Sequence, residues 1–255
     1  MSREPIAHEI ATADGPLPGL LWLPEGIEDG HRVPGLVVLQ EIFGVGSYIQ
    51  SRCADLAELG YAVLAPQLFA RLGEGEAPVV ETPAADGGLQ TAMDLVGRVD
   101  WDLAVRDASD ARTELAGMAG VDEMAVGLVG FCFGGGLAFN VAAAQAQAQV
   151  PVAALVSFYG SALPGLLELA EHVDVPSLHV FGDADSFIPM DQVEAIRAAV
   201  TAGGSREQVR FEIYPGAGHA FDNPDPMFHH PEASAQAWAA TEAFLADALP
   251  VAAQG

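Results

Sequence analysis

Val126-Gly127-Leu128-Val129-Gly130-Phe131-Cys132-Phe133-Gly134-Gly135-Gly136 carries an apolar, buried-type strand directly into a helix through glycines. Within it, Gly130-x-Cys132-x-Gly134 has the spacing of the G-x-S-x-G nucleophile turn, with cysteine in the place of serine. The spacing has a steric cause. A chain that turns this sharply from strand to helix holds the central residue in strained dihedrals, and the residues two before and two after it must lack side chains to avoid collision. Such a turn lifts the sulfur above the carboxyl edge of a sheet. The helix that follows aims its N-terminal amides and positive dipole end at it.

Two other readings of the stretch stand beside the nucleophile: a buried inert cysteine, and a glycine cradle for an anion, since strand-to-helix turns also hold phosphates. The cradle lacks both G-x-G-x-x-G after a first strand and a P-loop ending in Gly-Lys-Ser/Thr, and it falls in mid-chain. Cys53, in Ser51-Arg52-Cys53-Ala54-Asp55-Leu56, reads as a small packing residue of a helix.

Working outward, short runs rich in Val, Leu and Ala at 20–23, 36–39, 62–65, 125–129, 153–158, 178–181 and 209–214 alternate with helical patterns at 48–59, 101–118, 137–147, 190–202 and 231–249. That alternation predicts an α/β fold with a mostly parallel central sheet and helices on both faces, and residues 1–255 are expected to form one domain. Residues 5–23 read as an antiparallel hairpin with Ala13-Asp14-Gly15-Pro16 at its tip. Residues 72–88, with Gly, Pro, Glu and Asp and no sustained period, read as a surface excursion, either a cover for a site or a plain connection.

The chain has 255 residues, 51% of them hydrophobic, and ten basic residues against 35 acidic ones for a net charge of −25; all ten cations are Arg. A field of that sign repels nucleic acid and anionic membrane surfaces, so neither is expected as a partner. No apolar run approaches the roughly 18–20 residues needed to span a bilayer. With two cysteines, no CxxC and no basic-then-apolar leader pattern, the expected setting is cytoplasmic and the expected state a monomer or homodimer.

A nucleophile of this type needs a proton acceptor and a group that orients it. Val180-Phe181-Gly182-Asp183-Ala184-Asp185-Ser186 and Tyr214-Pro215-Gly216-Ala217-Gly218-His219-Ala220-Phe221 both leave apolar strands into polar or small-residue loops. Functional groups of open parallel sheets gather outside the carboxyl ends of the strands, where Asp183 or Asp185 and His219 could meet Cys132. The turn amide of Phe133 offers one donor to a developing oxyanion, and Ile42, at the exit Leu36-Val37-Val38-Leu39-Gln40-Glu41-Ile42, offers a second. Glu41 is either a solvated carboxylate or one buried beside the thiol with a raised pKa. His229-His230 lack any metal-site spacing, and no metal is expected.

Gln40-Glu41-Ile42-Phe43-Gly44, Gly60-Tyr61-Ala62-Val63-Leu64-Ala65-Pro66, Gly130-Phe131-Cys132-Phe133-Gly134-Gly135, Gly182-x-x-Asp185-x-Phe187-Ile188-Pro189 and Gly216-Ala217-Gly218-His219-x-Phe221 together resemble the dienelactone hydrolase family. The resemblance implies an α/β-hydrolase fold and an ester- or lactone-cleaving enzyme without cofactor. Position by position, it implies Cys132 as nucleophile, Asp185 as orienting acid, His219 as base, Ile42 and Phe133 as oxyanion amides, Glu41 as a partner in thiol activation, and Tyr159 near the substrate.

Two departures stand out. The family grips a substrate carboxylate with two arginines, one just after the histidine and one in the excursion after the third strand. Here the first position is Asn223, and residues 72–90 contain no Arg. A neutral ester or lactone is therefore expected in place of an anionic one, unless Arg71 or Arg98 compensates. The alternative is a non-catalytic ligand-binding or regulatory protein that keeps the hydrolase fold.

Overall fold

Alternation within each strand decides the layers. In β3 (Val33–Leu39), Leu36 and Val38 face one apolar cluster while Val37 and Leu39 face the other, as the two-residue period of a strand requires. A strand fully buried on both faces needs helices on both, and the chain supplies them. The computed structural model describes residues 4–25, 27, 32–73, 77–85 and 87–252. It contains β1 (Ile6–Ile10), β2 (Leu17–Trp22), β3, α1 (Ser47–Glu58), β4 (Ala62–Pro66), α2 (Gly88–Val96), α3 (Trp101–Gly117), β5 (Val121–Phe131), α4 (Phe133–Gln147), β6 (Leu155–Phe158), β7 (Ser177–Gly182), α5 (Met190–Val200), β8 (Val209–Tyr214) and α6 (Pro231–Ala248).

The strands form one eight-stranded sheet in the order β1-β2-β4-β3-β5-β6-β7-β8. The first two pairings, β1 with β2 and β2 with β4, are antiparallel, and the remaining five are parallel. Side chains of α3, α4 and α5 fill one face, and those of α1 and α6 fill the other. The order places a topological switch at β3, because the chain leaves it toward β4 on one side and later returns as β5 on the other. Open α/β sheets bind ligands in the crevice such a reversal creates.

The element pattern departs from expectation in several places, and the strands expected at 20–23 and 36–39 each begin three residues earlier, at Leu17 and Val33. The strand expected at 125–129 begins four residues earlier, at Val121, because Asp122, Glu123 and Met124 interrupt its apolar run without ending the strand. The strand expected at 153–158 starts at Leu155. The helix expected from 137 begins at Phe133, so Gly134, Gly135 and Gly136 lie inside its first turn. Finally, α2 closes the expected excursion as a regular helix, with Gly87 before it in the left-handed region. Of that excursion, 74–76 and 86 lie outside the described residues.

Candidate active site

The turn at Cys132 has the strain that its spacing implies: φ is 53° and ψ −114°, left-handed for a residue with a Cβ. The glycines make the turn possible. A Cβ at Gly130 would collide with the carbonyl of Gly134, and one at Gly134 with the carbonyls of Leu39 and Gln40. Backbone bonds lock the turn to the neighbouring strand exit: the Cys132 amide donates to Phe158 O at 3.0 Å, and Cys132 O accepts from Ser161 N at 3.1 Å.

Three further strand exits meet there. At the end of β7, Asp185 turns one oxygen inward on its own loop, where Oδ1 accepts from the amides of Phe187 at 2.7 Å and Ile188 at 3.0 Å. Its other oxygen, Oδ2, lies 2.7 Å from Nδ1 of His219, which follows β8. The far side of that imidazole, Nε2, lies 3.1 Å from Cys132 Sγ. Asp183 points elsewhere and accepts from the Gly216 amide at 2.6 Å, tying the β7 exit to the β8 exit.

His219 is largely buried, and burial alone would lower its pKa. The neighbouring sulfur and the hydrogen bond that Nδ1 donates to Asp185 outweigh that cost and raise it. Asp185 carries two backbone N–H bonds in addition, so its charge is well satisfied without solvent.

Glu41 follows β3, next to the Cys132 turn because Leu39 pairs with Gly130. It is 1% exposed. Its Oε2 accepts from Asn223 Nδ2 at 2.8 Å and its Oε1 from the Tyr159 hydroxyl at 3.4 Å. Burial pushes the carboxyl up to about 7; the Asn223 bond and the neighbouring His219 pull down, and Asp222 pushes up. Behind it runs a buried polar chain. Tyr159 OH lies 3.2 Å from Tyr48 OH, Tyr48 donates to Asp222 Oδ2 at 2.6 Å, and Arg52 grips both Asp222 oxygens at 2.9 and 2.6 Å.

A cavity of about 170 Å³ opens over the sulfur. Glu41, Ile42, Phe133, Cys132 and His219 all border it, while Tyr159 packs beneath, its ring 5.4 Å from that of His219. Among the described residues, no other group engages the amides of Ile42 and Phe133. The rest of the lining is mainly apolar, and none of it is Arg. Arg71 is held by Asp107 at 2.9 and 2.8 Å, and Arg98 bonds the Leu72 carbonyl; both border a separate hollow. Neither replaces the arginines missing from the family pattern.

Five bordering residues escaped the reading of the sequence, among them Phe228, in the stretch before α6. Ser161 places its Oγ 3.8 Å from Sγ, and nothing in its local pattern distinguishes it. Leu89, Met93 and Val96 come from α2. Their i, i+4, i+7 spacing was the available signal. Among the described residues no cluster of His, Cys, Asp and Glu is arranged to hold a metal, and no helix is long and apolar enough to cross a membrane. His230 caps α6, accepting from the Ala233 amide at 3.2 Å, and Cys53 packs fully buried in α1.

A mostly parallel sheet, a strained nucleophile-type turn after its central strand and an acid and a histidine on later strand exits define the α/β-hydrolase fold. The same fold appears in the acylaminoacyl peptidase of Pyrococcus horikoshii, with a TM-score of 0.71 at 16% identity over all of this chain and 43% of that one. More narrowly, the family model of the dienelactone hydrolase family matches residues 17–249. The chain belongs to that family and is a hydrolase. It is 32% identical over 216 residues to the carboxymethylenebutenolidase of Pseudomonas putida, covering 78% of this chain and 86% of that protein. The crystal structure of P91, a dienelactone hydrolase-like promiscuous phosphotriesterase from metagenomic libraries, superposes with a TM-score of 0.76 at 25% identity, covering 96% of this chain and 99% of that one.

Proposed function

We propose that the protein hydrolyses an ester or lactone through Cys132. The observation that carries this reading is the unbroken chain from Asp185 through His219 to Sγ, at 2.7 and 3.1 Å. Asp185 fixes a proton on Nδ1, so Nε2 is the nitrogen that exchanges a proton with the thiol. Sγ attacks the acyl carbon while its proton passes to Nε2, and the carbonyl oxygen becomes an oxyanion held by the Ile42 and Phe133 amides. Collapse breaks the acyl C–O bond, and the leaving oxygen takes the proton from Nε2. Water, deprotonated by the same nitrogen, then splits the thioester, releasing the acid and restoring the thiol.

Glu41 takes a supporting part in this scheme: a buried carboxyl that exchanges its proton near neutral pH borders the same cavity as the sulfur. Tyr159 supports the imidazole and Glu41 from below. Two free cysteines fit a reducing, cytoplasmic setting, and a net charge of −25 favours small molecules over nucleic acid as partners.

The test is Cys132→Ala on a small activated ester such as p-nitrophenyl acetate. Turnover is expected to fall to the background rate with the melting temperature preserved. Retention of the wild-type rate sinks the assignment.

A further inference from the structure

The walls of the cavity over Cys132 are unlike what a carboxylate-bearing substrate would need. Leu89, Met93 and Val96, one stripe of α2, line it together with Phe187 and Phe228, and the ionisable groups on its border are Glu41, Cys132 and His219. Two of the large apolar side chains are left largely open to water at the mouth: Phe187 is 60% exposed and Met93 46%. Large apolar groups exposed at the rim of a concave site mark a surface that an apolar ligand covers.

Phe187 is also held in place by the catalytic machinery. Its amide donates to Asp185 Oδ1 at 2.7 Å, and its ring stands 5.2 Å from the His219 ring. One turn therefore sets both the orienting carboxylate and the wall beside the imidazole. The cavity measures about 170 Å³, below the roughly 300–1,000 Å³ of drug-sized ligand sites. It suits a short acyl group or a small ring.

Electrostatics points the same way. No Arg borders the cavity, Arg52 nearby is taken up by Asp222, and the whole chain is strongly acidic. A carboxylate entering here would lose water without gaining an arginine partner, and the imidazole on the border is already engaged by Asp185 and Cys132.

We infer that this site selects uncharged esters or lactones with a compact apolar acyl group, and that Met93 and Phe187 are the specificity-determining residues at its mouth. The inference rests on the hydrolytic reading of Cys132.

The experiment compares p-nitrophenyl butyrate with mono-p-nitrophenyl succinate, esters of similar acyl length and identical leaving group that differ by one carboxylate. Wild-type kcat/KM is expected to favour the butyrate by roughly 10²-fold. Met93→Arg, at a position open enough to accept it, is expected to narrow that ratio at least about tenfold by pairing with the carboxylate. Phe187→Ala is expected to raise KM for the butyrate with an unchanged melting temperature. If the wild type treats both esters alike and Cys132→Ala is dead on both, the selectivity is refuted while hydrolysis stands. A ratio unmoved by Met93→Arg removes Met93 from the role. If neither ester is turned over in a Cys132-dependent way, the hydrolytic reading itself fails, and the inference falls with it.

Discussion

Asn223 donates its side-chain N–H to Glu41 at 2.8 Å, so the carboxyl bordering the cavity of the sulfur is held by a neutral amide. A cation there would keep the acid ionised. An amide leaves burial in control, and the carboxyl rises to about 7.

That rise makes Glu41 a pH-dependent load on the fold. The group is protonated more fully in the native than in the unfolded chain between about 4.5 and about 7, so its stabilising contribution is present below that window and is lost as pH rises through it. Glu41→Gln should therefore gain on the wild type by up to on the order of 3 kcal/mol between pH 5 and pH 8. Urea midpoints of both proteins at the two pH values check this; a constant difference contradicts it.

Asp185 and Asp183 are two residues apart and differ in what they hold. Asp185→Asn removes the acceptor of the His219 Nδ1 proton and should lower kcat by about 10³–10⁴-fold. Asp183→Asn touches the bond to Gly216 and should cost stability while leaving kcat within about tenfold. Steady-state kinetics on an activated ester, with thermal melts of both variants, separates the two; equal losses of kcat would contradict the assignment.

Arg52 lies across the fold from its partner in sequence, yet grips both oxygens of a fully buried Asp222 and stacks 4.2 Å over the Trp238 ring. Arg52→Ala strands that carboxylate with only the Tyr48 and Ser234 hydroxyls. The expected loss is about 3–5 kcal/mol in a denaturant titration at neutral pH. A loss under about 1 kcal/mol would show that the hydroxyls suffice.

His179, on β7, is fully buried between Phe139 and Phe211, and neither ring nitrogen has a partner among the described residues. Burial lowers its pKa to about 4. The unfolded chain takes up the proton first, so stability is lost as pH falls from about 6.5 toward that value. His179→Leu should be more stable than the wild type, with a margin that widens by about 2 kcal/mol between pH 7 and pH 5. Melting curves at both values measure it.

The strands and the elbow were legible because their signals are local and steric. Leu36 to Leu39 and Val126 to Phe131 are unbroken apolar or glycine runs, and Gly130 and Gly134 occupy places where a methyl group would strike backbone. The missed elements have the opposite character. The start of β5 hides behind Asp122 and Glu123, and α2 hides at the end of a Gly- and Pro-rich stretch. The partners of Glu41 were invisible for another reason: Asn223 stands 182 residues away from it and Tyr159 118, and side-chain pairing over such separations leaves no periodic trace.

Only Ala92 of α2 is buried, although three other side chains of that helix shape the cavity. This wall of the cavity is thus joined to the body of the protein lightly, through Ala92 and the half-buried Leu89, Leu95 and Val96, the last of which packs against the core. Exchanges at Met93, the exposed one of the three, can redraw the range of accepted molecules at small expense to folding, so this helix is where members of the lineage would be expected to diverge in diet while the sheet beneath them stays the same.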